Sequence, residues 1–554
     1  MTDTARYTIG LDYGSLSCRG VLARVSDGFI AAEAAFPYPH GAMTDALPDG
    51  TPLDGRFCLQ HPKDYEAALV SIVRELLAQS GVAPTQVIGL GVDFTASTVI
   101  PVDAAYRPMC EDPRFSSRPH AWCKLWKHHS ASAQAEALTR ICHEQHRPYL
   151  DRYGGRISPE CLVAKVAQVF AEDRELYDAA DAFVEAGDYI TSLLAGKPVF
   201  GASAAAAKAL WHKQDGYPDE AFFAAFDPAF ARMPQEKLAD RFGAVPAAPG
   251  ERVGSLCAAM ADKLGLCPGI AVSAPQMDAY TPMLALGIAR PAAMLMVVGT
   301  STGMMLLSDA QRPVEGVTAC LPETYYPGLW GYASGQASVG DGFQWFTDNC
   351  LPGEYVQAAD KLGLSAQQYL SRLAEPLAPG ETGLLALDWF NGNKSCLCNS
   401  RLSGMILGLT LQTRPEHIYR ALMEATAFGA RVVLEAYRSA HVPVDEIFVC
   451  GGIPGKNPLL MQIYADVLQM PLKVSLCRQA PALGTAIYAA AAAKEASGFP
   501  DVFAAVDAMR CRDFTVYTPE PQREAAYEPL YREYATLHDY FGRGANRVME
   551  RLHR

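Results

Sequence analysis

Two short stretches, about twenty residues apart, carry residue types that are suited to chemistry on an anionic group. Asp278 follows an apolar run and supplies a carboxylate that could accept a proton. The turn Gly299-Thr300-Ser301-Thr302-Gly303 follows a predicted strand over 294–298. Small Gly, Ser and Thr residues let backbone N–H groups and hydroxyls approach an anion closely. A proton acceptor and a phosphate cradle together are the arrangement expected of a phosphoryl-transfer enzyme.

Each of these features also has an ordinary structural explanation. An aspartate after an apolar run is typical of a turn or a helix cap, and a GTSTG turn after a strand is typical of a hairpin. The chain contains no G-x-x-x-x-G-K-[ST] sequence, and no G-x-G-x-x-G sequence follows a predicted strand. The chemical interpretation therefore depends on the elements around the two features.

A second small polar turn lies near the N-terminus. The predicted strand 7–11 ends in Asp12-Tyr13-Gly14-Ser15, and the apolar segment 20–25 follows at once. The tip of such a hairpin could hold phosphate or a metal-bound nucleotide. The predicted strand 87–93 also ends in a small polar tip, which contains Ala96. Open α/β sheets bind ligands at the carboxyl ends of strands, so this tip is a candidate substrate wall, with an ordinary strand-to-loop junction as the alternative.

Two further side chains are suited to a sugar. Trp126 offers a flat apolar face beside the hydrogen-bond donors of Lys127 and His128, and a core position is the alternative. The segments 160–170 and 179–195 are predicted to be helices. Lys208 lies in an Ala-rich helix, where a buried ammonium needs a partner. An anionic or hydroxylated ligand would be such a partner, and exposure to solvent is the alternative.

The C-terminal part of the chain repeats the plan of the N-terminal part. The predicted strand 446–450 ends in Gly451-Gly452, and a predicted helix over 458–469 follows. A strand that ends in two glycines suits close approach of the backbone to a nucleobase or ribose. Each half begins with a strand–turn–strand hairpin and ends in strands flanked by helices. The sequence therefore predicts two related α/β domains with a cleft between them.

Composition excludes several classes of protein. The formal net charge of −13 argues against a nucleic-acid surface, which needs Lys and Arg to neutralise phosphates. The N-terminal residues show no secretory signal, and no apolar stretch is long enough for a membrane span. Fifteen cysteines without a spacing framework suit a reducing cytosol. Neither Cys396-Leu397-Cys398 nor His128-His129 has a second half at zinc-site spacing, so no structural metal is expected.

Ten motifs in the chain occur in the order in which one known family carries them. They cover about residues 7 to 500 and are IGLDYGSLSCRGVL from Ile9, GVDFTAST from Gly91, LWKHH from Leu125, AKALWH from Ala207, MDAY from Met277, VVGTST from Val297, SGQASVGD from Ser334, LDWFNG from Leu387, ATAFGAR from Ala425 and GGIPGKN from Gly451. With these motifs the chain resembles the FGGY carbohydrate kinases, and most closely their ribulokinase branch. LDWFNG, LWKHH and AKALWH together are specific for that branch.

This resemblance implies the α/β class and the actin-like ATPase fold, with two ribonuclease-H-like domains and an interdomain cleft. The expected domains are 1–288 for sugar binding, the first phosphate loop and the catalytic aspartate, 289–497 for ATP binding, and 498–554 as a helical tail that caps the surface. The implied cofactors are ATP and Mg²⁺, and the implied partners are a sugar and, for self-association, a second copy in a homodimer. Neither nucleic acid nor a membrane is expected as a partner, and the expected location is the cytoplasm.

The resemblance also implies a role for each candidate residue. Asp278 is the general base that takes the proton of the attacking sugar hydroxyl. Asp12 helps to position Mg²⁺ and the γ-phosphate. The other implied positions are Gly14 and Ser15 in the first phosphate loop; Gly299, Thr300, Ser301 and Thr302 at the β- and γ-phosphates; Gly451, Gly452 and Asn457 near the adenosine; and Ala96 and Lys208, together with Asp278 and the Trp126 noted above, at the sugar.

The chain departs from the ribulokinase pattern at one position that touches the sugar. Members of that branch usually carry a glutamate where this chain has Ala333, and the approach to the base is SAPQMD instead of a Gly-rich segment. A site that hydrogen-bonds hydroxyl groups discriminates strongly between stereoisomers. Transfer to L-ribulose is the leading prediction. Transfer to D-ribulose, xylulose or a pentitol, and a nucleotide-gated sugar-binding module without transfer activity, are the alternatives.

Overall fold

The computed structural model describes residues 5–317 and 319–553. The predicted domains also include residues 1–4, 318 and 554, which lie outside the described residues. Nearly continuous runs of buried residues form the central strands of the two main sheets. The strands are β1 (Tyr7–Tyr13), β2 (Ser17–Arg24), β3 (Ile30–Pro37), β4 (Leu59–Gln60), β5 (Val87–Phe94), β6 (Val99–Val102), β7 (Cys123–Lys124), β8 (Ala182–Glu185), β9 (Arg252–Ser255), β10 (Ala271–Ser273), β11 (Gln276–Met277), β12 (Ala293–Val298), β13 (Thr302–Ser308), β14 (Ala319–Pro322), β15 (Trp330–Gln336), β16 (Leu385–Leu387), β17 (Met405–Leu407), β18 (Glu446–Cys450), β19 (Leu472–Ser475) and β20 (Phe514–Tyr517).

The helices begin and end at residues with a local physical reason for the boundary. The first begins after the N-cap His61 with a proline in its first turn, and it ends at Gly81 in the left-handed conformation. The helices are α1 (Pro62–Ser80), α2 (Ser132–Glu144), α3 (Leu162–Glu172), α4 (Arg174–Ala179), α5 (Ala186–Ala195), α6 (Ala202–Lys208), α7 (Glu220–Ala224), α8 (Met233–Lys237), α9 (Ala258–Leu264), α10 (Pro282–Ala285), α11 (Gly340–Asn349), α12 (Gly353–Lys361), α13 (Ala366–Ala374), α14 (Pro415–Ser439), α15 (Pro458–Leu468), α16 (Ala480–Ala492), α17 (Val502–Met509), α18 (Pro521–Gly542) and α19 (Val548–Leu552). None of these helices, over the residues described, is long and apolar enough to cross a lipid bilayer.

The first compact unit comprises residues 5–289, 321–330 and 477–511. Its main sheet has the strand order β3-β2-β1-β5-β10-β9, and β11 pairs with β5. β1, β2 and β3 are antiparallel neighbours, whereas β1, β5 and β10 run parallel. This is the strand order of a ribonuclease-H-like sheet. A smaller sheet of the same unit has the order β4-β7-β6-β8.

Helix α16 packs directly on β1 and β5 of this sheet. The approach is so close that a Cβ atom on Gly10 would lie 1.9 Å from the carbonyl oxygen of Ala482. A Cβ atom on Gly91 would lie 2.6 Å from the carbonyl oxygen of Thr485. Because glycine has no side chain, the helix and the sheet can come this close, and the hydroxyl of Thr485 reaches the side chain of Asp93.

The second compact unit comprises residues 290–317, 319–320, 331–476 and 512–553. Its sheet has the order β14-β15-β13-β12-β18-β19-β20. β12 and β13 form an antiparallel hairpin, while β12, β18 and β19 run parallel. The core of this sheet therefore repeats the strand order of the first unit. The predicted α/β class with two ribonuclease-H-like sheets is confirmed.

Three features of the chain differ from the sequence predictions. The segment 179–195, predicted as one helix, contains the end of α4, strand β8 and helix α5, because the apolar run of β8 pairs with β6. The segment 477–511, predicted to end the C-terminal domain and begin the tail, packs in the first unit. The remaining tail does more than cover the surface, since β20 joins the second sheet and α18 buries four aromatic residues: Tyr527, Tyr531, Tyr534 and His538.

Candidate active site

Two aspartates lie side by side near the carboxyl ends of β1 and β5. Asp12 and Asp93 are register partners in the parallel pair of these strands. Asp12 is 6% exposed and Asp93 is fully buried. Register partners in adjacent strands direct their side chains to the same face of the sheet, and each of the two carboxyl groups affects the pKa of the other. Sequence analysis selected Asp12 but missed Asp93, although a charged residue inside an apolar strand is a signal for a functional group.

Asp93 is held by two hydroxyl groups from other elements. Thr281 donates to Asp93 Oδ2 at 3.2 Å, and Thr485 of α16 donates to the same oxygen. The other oxygen, Oδ1, has no hydrogen-bond donor among residues 5–317 and 319–553. Burial, followed by the charge of Asp12, raises the pKa of Asp93, and burial also raises the pKa of Asp12. Two buried carboxyl groups on neighbouring strands favour a shared proton or a cation.

Asp278 follows β11 at the same edge of the sheet. Its backbone N–H donates to the carbonyl oxygen of Phe94 at 3.0 Å, and its Oδ1 accepts a hydrogen bond from Ala279 N at 2.7 Å. Its side chain is partly exposed. Burial, with a smaller contribution from the charge of Asp12, raises the pKa of Asp278 to about 7. A carboxyl group with this pKa can accept a proton near neutral pH.

The tip after β5 forms a tight turn around Ala96. Thr95 Oγ1 and Thr98 Oγ1 are 2.9 Å apart, and Ser97 has a positive φ of 62°. Ala96 is partly exposed and lines a small cavity with polar and charged groups of neighbouring elements. The polar and charged lining residues are Thr95, Glu185, Asp188 and Gln276. A small side chain at 96 leaves this polar wall accessible.

A buried lysine and a buried glutamate support this turn. Lys165 Nζ donates to the carbonyl oxygen of Ser97 at 2.5 Å and to that of Leu125 at 2.9 Å. Burial raises the pKa of Glu185, and the Lys165 ammonium opposes that rise. Sequence analysis missed both residues. It placed Glu185 inside a predicted helix, and it did not single out Lys165. The carboxylate in the apolar run of β8 was the available signal.

Lys208 has a carboxylate partner. Its Nζ lies 3.2 Å from Glu160 Oε2, and its side chain is 21% exposed. Burial acts to lower the pKa of Lys208, but Glu160 raises it above the ordinary value. The Lys208 charge in turn lowers the pKa of Asp278. Lys208 is therefore a charged group that acts on Asp278. The alternative that Lys208 only faces solvent is wrong, because Glu160 is its partner.

Trp126 is connected to the β1–β2 turn (residues 14–16). Its indole N–H donates to Ser15 Oγ at 2.9 Å, so two residues predicted for different roles are in direct contact. Gly14 N donates to the carbonyl oxygen of Ser17 at 3.0 Å and closes the turn. His128 is fully buried, with Nδ1 facing Cys58 N at 3.4 Å and Nε2 facing Gln168 Oε1 at 3.0 Å. Both ring nitrogens of His128 therefore have hydrogen-bond partners inside the protein.

In the second unit, the β12–β13 turn (residues 299–301) is fastened to the start of α11. Gly340 N donates to the carbonyl oxygen of Gly299 at 3.0 Å, and Val339 N donates to that of Thr300 at 2.8 Å. Thr300 is exposed and Ser301 is partly exposed, whereas Thr302 is buried at the start of β13. The turn thus presents small residues to solvent on a fixed backbone, which is suited to an anion.

The residues after β18 lie beside the end of β12. Gly451 has a positive φ of 116°, and a Cβ atom there would lie 2.3 Å from the carbonyl oxygen of Val298. Gly452 is exposed, with open space where a Cβ atom would lie. Asn457 is the N-cap of α15: its Oδ1 accepts from Leu460 N at 3.0 Å and its Nδ2 donates to Ser371 Oγ at 3.2 Å. The side chain of Asn457 therefore positions this helix.

The LDWFNG motif has a structural role in the second unit. Asp388 accepts a hydrogen bond from Gln336 Nε2 at 2.9 Å and another from the hydroxyl of Tyr534 at 2.6 Å. Gln336 belongs to the SGQASVGD motif, and Tyr534 belongs to α18. Two motifs and helix α18 thus meet in one buried polar network.

Comparison with known proteins gives a consistent family. A model described as the FGGY family of carbohydrate kinases, C-terminal domain, matches residues 294–493. A ribulokinase from Shouchella clausii is 45% identical over 549 residues, covering 99% of this chain and 97% of that protein. A ribulokinase from Geobacillus thermodenitrificans is 44% identical, covering 99% and 96% respectively. A ligand-bound xylulose kinase from Lactobacillus acidophilus has the same fold, with a TM-score of 0.78 at 16% identity over 97% of this chain and 99% of that one.

Proposed function

Because the chain belongs to the FGGY family of carbohydrate kinases, and within it to the ribulokinase branch, we propose that it transfers the γ-phosphoryl group of ATP to a hydroxyl group of L-ribulose. The product would be L-ribulose 5-phosphate, and this reaction would be a step in the breakdown of L-arabinose. The observation that carries the proposal is Asp278, a partly exposed carboxyl group at a strand end with a pKa of about 7.

Asp278 would act as the general base of this reaction. Its carboxylate would take the proton of the sugar hydroxyl while the oxygen attacks the γ-phosphorus atom, and the bond between that phosphorus and the β,γ-bridging oxygen would break to release ADP. Lys208 favours the ionised form of Asp278 and offers ammonium protons to a sugar hydroxyl, and Ala96 leaves space at the polar wall. Trp126 would pack on the sugar while its N–H keeps Ser15 in place. Phosphoryl transfer depends mostly on positioning and charge neutralisation, so one base with fixed donors suffices.

The carboxyl groups of Asp12 and Asp93 fit a divalent cation. Carboxylate oxygens are the ligands that Mg²⁺ prefers, and the buried Asp93 Oδ1 has no donor in the described part of the chain. Asp12, supported by Asp93, would hold the metal directly or through water. When bound, Mg²⁺ neutralises charge on the transferred phosphoryl group.

The remaining assignments are made for each turn separately. In residues 1–288, Gly14 and Ser15 would contact phosphate. The larger nucleotide set would lie in residues 289–497: Gly299, Thr300, Ser301 and Thr302 at the β- and γ-phosphates, and Gly451 and Gly452 near the adenosine. Asn457 would act there through the position of α15, because its side chain is used in the helix cap.

Cellular location and assembly complete the proposal. The fifteen cysteines show no spacing framework of a disulfide scaffold, which is consistent with a reducing compartment, so we place the protein in the cytoplasm. A homodimer remains a prediction, which light scattering on the purified chain would test.

Ala333 bears on the choice of sugar. It lies in β15, where the ribulokinase pattern has a glutamate that contacts the sugar, so one acceptor for a hydroxyl group is absent. The test is ADP release with Mg-ATP and L-ribulose, D-ribulose, L-xylulose, D-xylulose, pentitols or glycerol, in the wild type and in Ala333→Glu. We expect the highest kcat/KM with L-ribulose. A preference of the wild type for another sugar, reversed by Ala333→Glu, would assign a different substrate, and no sugar-dependent turnover would overturn the kinase proposal.

A further inference from the structure

Two histidines and an aspartate lie close together next to the segments that contact the β1–β2 turn. His40 follows β3, His61 caps α1, and Asp64 lies in the first turn of α1. Each of the three offers one ligand atom, and these atoms lie within 4.8 Å of one another. His40 Nδ1 is 2.8 Å from Asp64 Oδ1, and the rings of His40 and His61 are 4.3 Å apart. His61 and Asp64 are three positions apart, but His40 lies 21 positions before His61, and only the fold brings it to them.

The surroundings of the three groups suit a metal. Asp64 is 4% exposed, and its Oδ2 accepts a hydrogen bond from His40 N at 3.1 Å, which fixes the carboxylate. An imidazole binds a metal through a ring nitrogen. His40 is the exposed member of the group, so an ion can reach the cluster from solvent.

Coordination requires only small movements of these side chains. A tetrahedral ion about 2.1 Å from each ligand atom places those atoms about 3.4 Å apart. An ion would replace the proton that lies between His40 Nδ1 and Asp64 Oδ1, and that pair would open slightly. His61 Nδ1 now accepts a hydrogen bond from Lys63 N at 3.2 Å. If His61 binds the metal through Nδ1, the bond to the metal would replace the hydrogen bond from Lys63 N.

The cluster is connected to the β1–β2 turn through both of its segments. Gln60, next to His61, donates from Nε2 to the carbonyl oxygen of Ser15 at 2.7 Å. Tyr38, two residues before His40, donates its N–H to the carbonyl oxygen of Leu16 at 2.9 Å. A bond between the segments 38–40 and 60–64 would therefore restrain the turn from two sides.

We propose that His40, His61 and Asp64 form a site for a transition-metal ion of the Zn²⁺ class, which fastens together the two segments that support the β1–β2 turn. Two imidazoles and one carboxylate are a donor set for Zn²⁺, Co²⁺ or Ni²⁺, whereas Mg²⁺ prefers oxygen ligands alone. The site is thus separate in chemistry from the Asp12–Asp93 pair.

The test is direct metal binding to the full chain, purified without a histidine tag and freed of metal. Co²⁺ is the probe, because its visible spectrum reports the coordination geometry and its ultraviolet charge-transfer band reports any cysteine ligand. We expect saturable binding of one Co²⁺ per chain, displaced by Zn²⁺ and without the thiolate band. His61→Asn removes the imidazole but keeps a residue that can cap α1, and it should weaken binding at least tenfold. Asp64→Asn should do the same.

His553→Ala provides the matched control, because it removes an exposed histidine outside the cluster. It should bind Co²⁺ like the wild type. Equal binding by the wild type and His61→Asn, or no saturable binding by the wild type, would overturn the site. Hydrogen exchange tests the fastening: one equivalent of Zn²⁺ should slow exchange at residues 14–16 in the wild type and in His553→Ala, but not in His61→Asn. Unchanged exchange in the wild type would overturn the proposed effect on the turn.

Discussion

Lys165 and Glu185 stand on the two sides of the turn that carries Ala96. The Lys165 ammonium donates to the carbonyl oxygen of Ser97, while the backbone of Ser97 and Thr98 acts on the Glu185 carboxyl group and opposes the rise of its pKa. Both side chains are buried, and the charge of each favours the charged form of the other. This buried pair holds the shape of the candidate sugar wall.

Loss of one member of the pair should therefore harm both stability and sugar binding. Lys165→Met removes the donor to the carbonyl oxygens of Ser97 and Leu125 and a charge that favours ionised Glu185, so the free energy of unfolding should fall by about 3 kcal/mol. The double variant Lys165→Met/Glu185→Gln should recover part of this loss, because no charge is then left buried. Chemical denaturation gives both values, and the KM for the sugar should rise in each variant. A single variant as stable as the wild type would contradict the pairing.

Asp278→Asn should remove transfer while it preserves nucleotide binding. The amide keeps the shape of the side chain but cannot take the proton, so kcat should fall by about 10²–10⁴-fold. Steady-state kinetics and ATP binding by calorimetry measure the two effects separately. The exposed Asp262→Asn serves as the control and should behave like the wild type. Near-normal turnover in Asp278→Asn would exclude the base role.

The stability of the metal-free protein should depend on pH through Asp278. Its folded-state pKa of about 7 lies above the ordinary value of 3.8, so the folded protein binds this proton more tightly than the unfolded chain. The resulting stabilisation is full below about pH 4 and is lost as the pH rises through about 7. Relative to Asp278→Asn, the wild type should lose about 1–3 kcal/mol over this window. Denaturation with chelator present measures it, and parallel pH curves would contradict the raised pKa.

Asp93→Asn should weaken the divalent-metal site that we propose. The substitution removes one carboxylate from the Asp12–Asp93 pair but leaves the backbone of β5 unchanged. We expect the affinity for Mn²⁺, measured by electron paramagnetic resonance with a non-hydrolysable ATP analogue, to fall by about 10–100-fold. Unchanged Mn²⁺ affinity would show that Asp93 has only a structural role.

Gly10→Ala should destabilise the first unit. The new Cβ atom would lie 1.9 Å from the carbonyl oxygen of Ala482, so α16 would have to move away from β1. We expect a loss of about 2 kcal/mol in the free energy of unfolding. Gly55→Ala is the matched control, because no atom lies within 4 Å of its Cβ position. Equal stability of the two variants would contradict the close packing of α16.

The sequence by itself determined the class of fold, the family and most candidate residues. Asp12, Asp278 and the turn 299–302 are local features: an apolar run that ends in a carboxylate or in small residues is visible without neighbours. The repeated strand–turn–strand pattern likewise predicted two related sheets, which the strand orders confirm. Conversely, the apolar segment 179–195 was wrongly predicted as one helix, because an apolar run fits a strand or a helix until its pairing partner is known.

Tertiary structure decided which side chains act together. Asp93 became a neighbour of Asp12 only through the register of β1 and β5, and Glu160 became the partner of Lys208 from 48 residues away. The cluster of His40, His61 and Asp64 likewise exists only because the end of β3 and the start of α1 lie side by side. Burial then raised the pKa values of Asp12 and Asp93, because desolvation depends on the surrounding chain and not on the residue type.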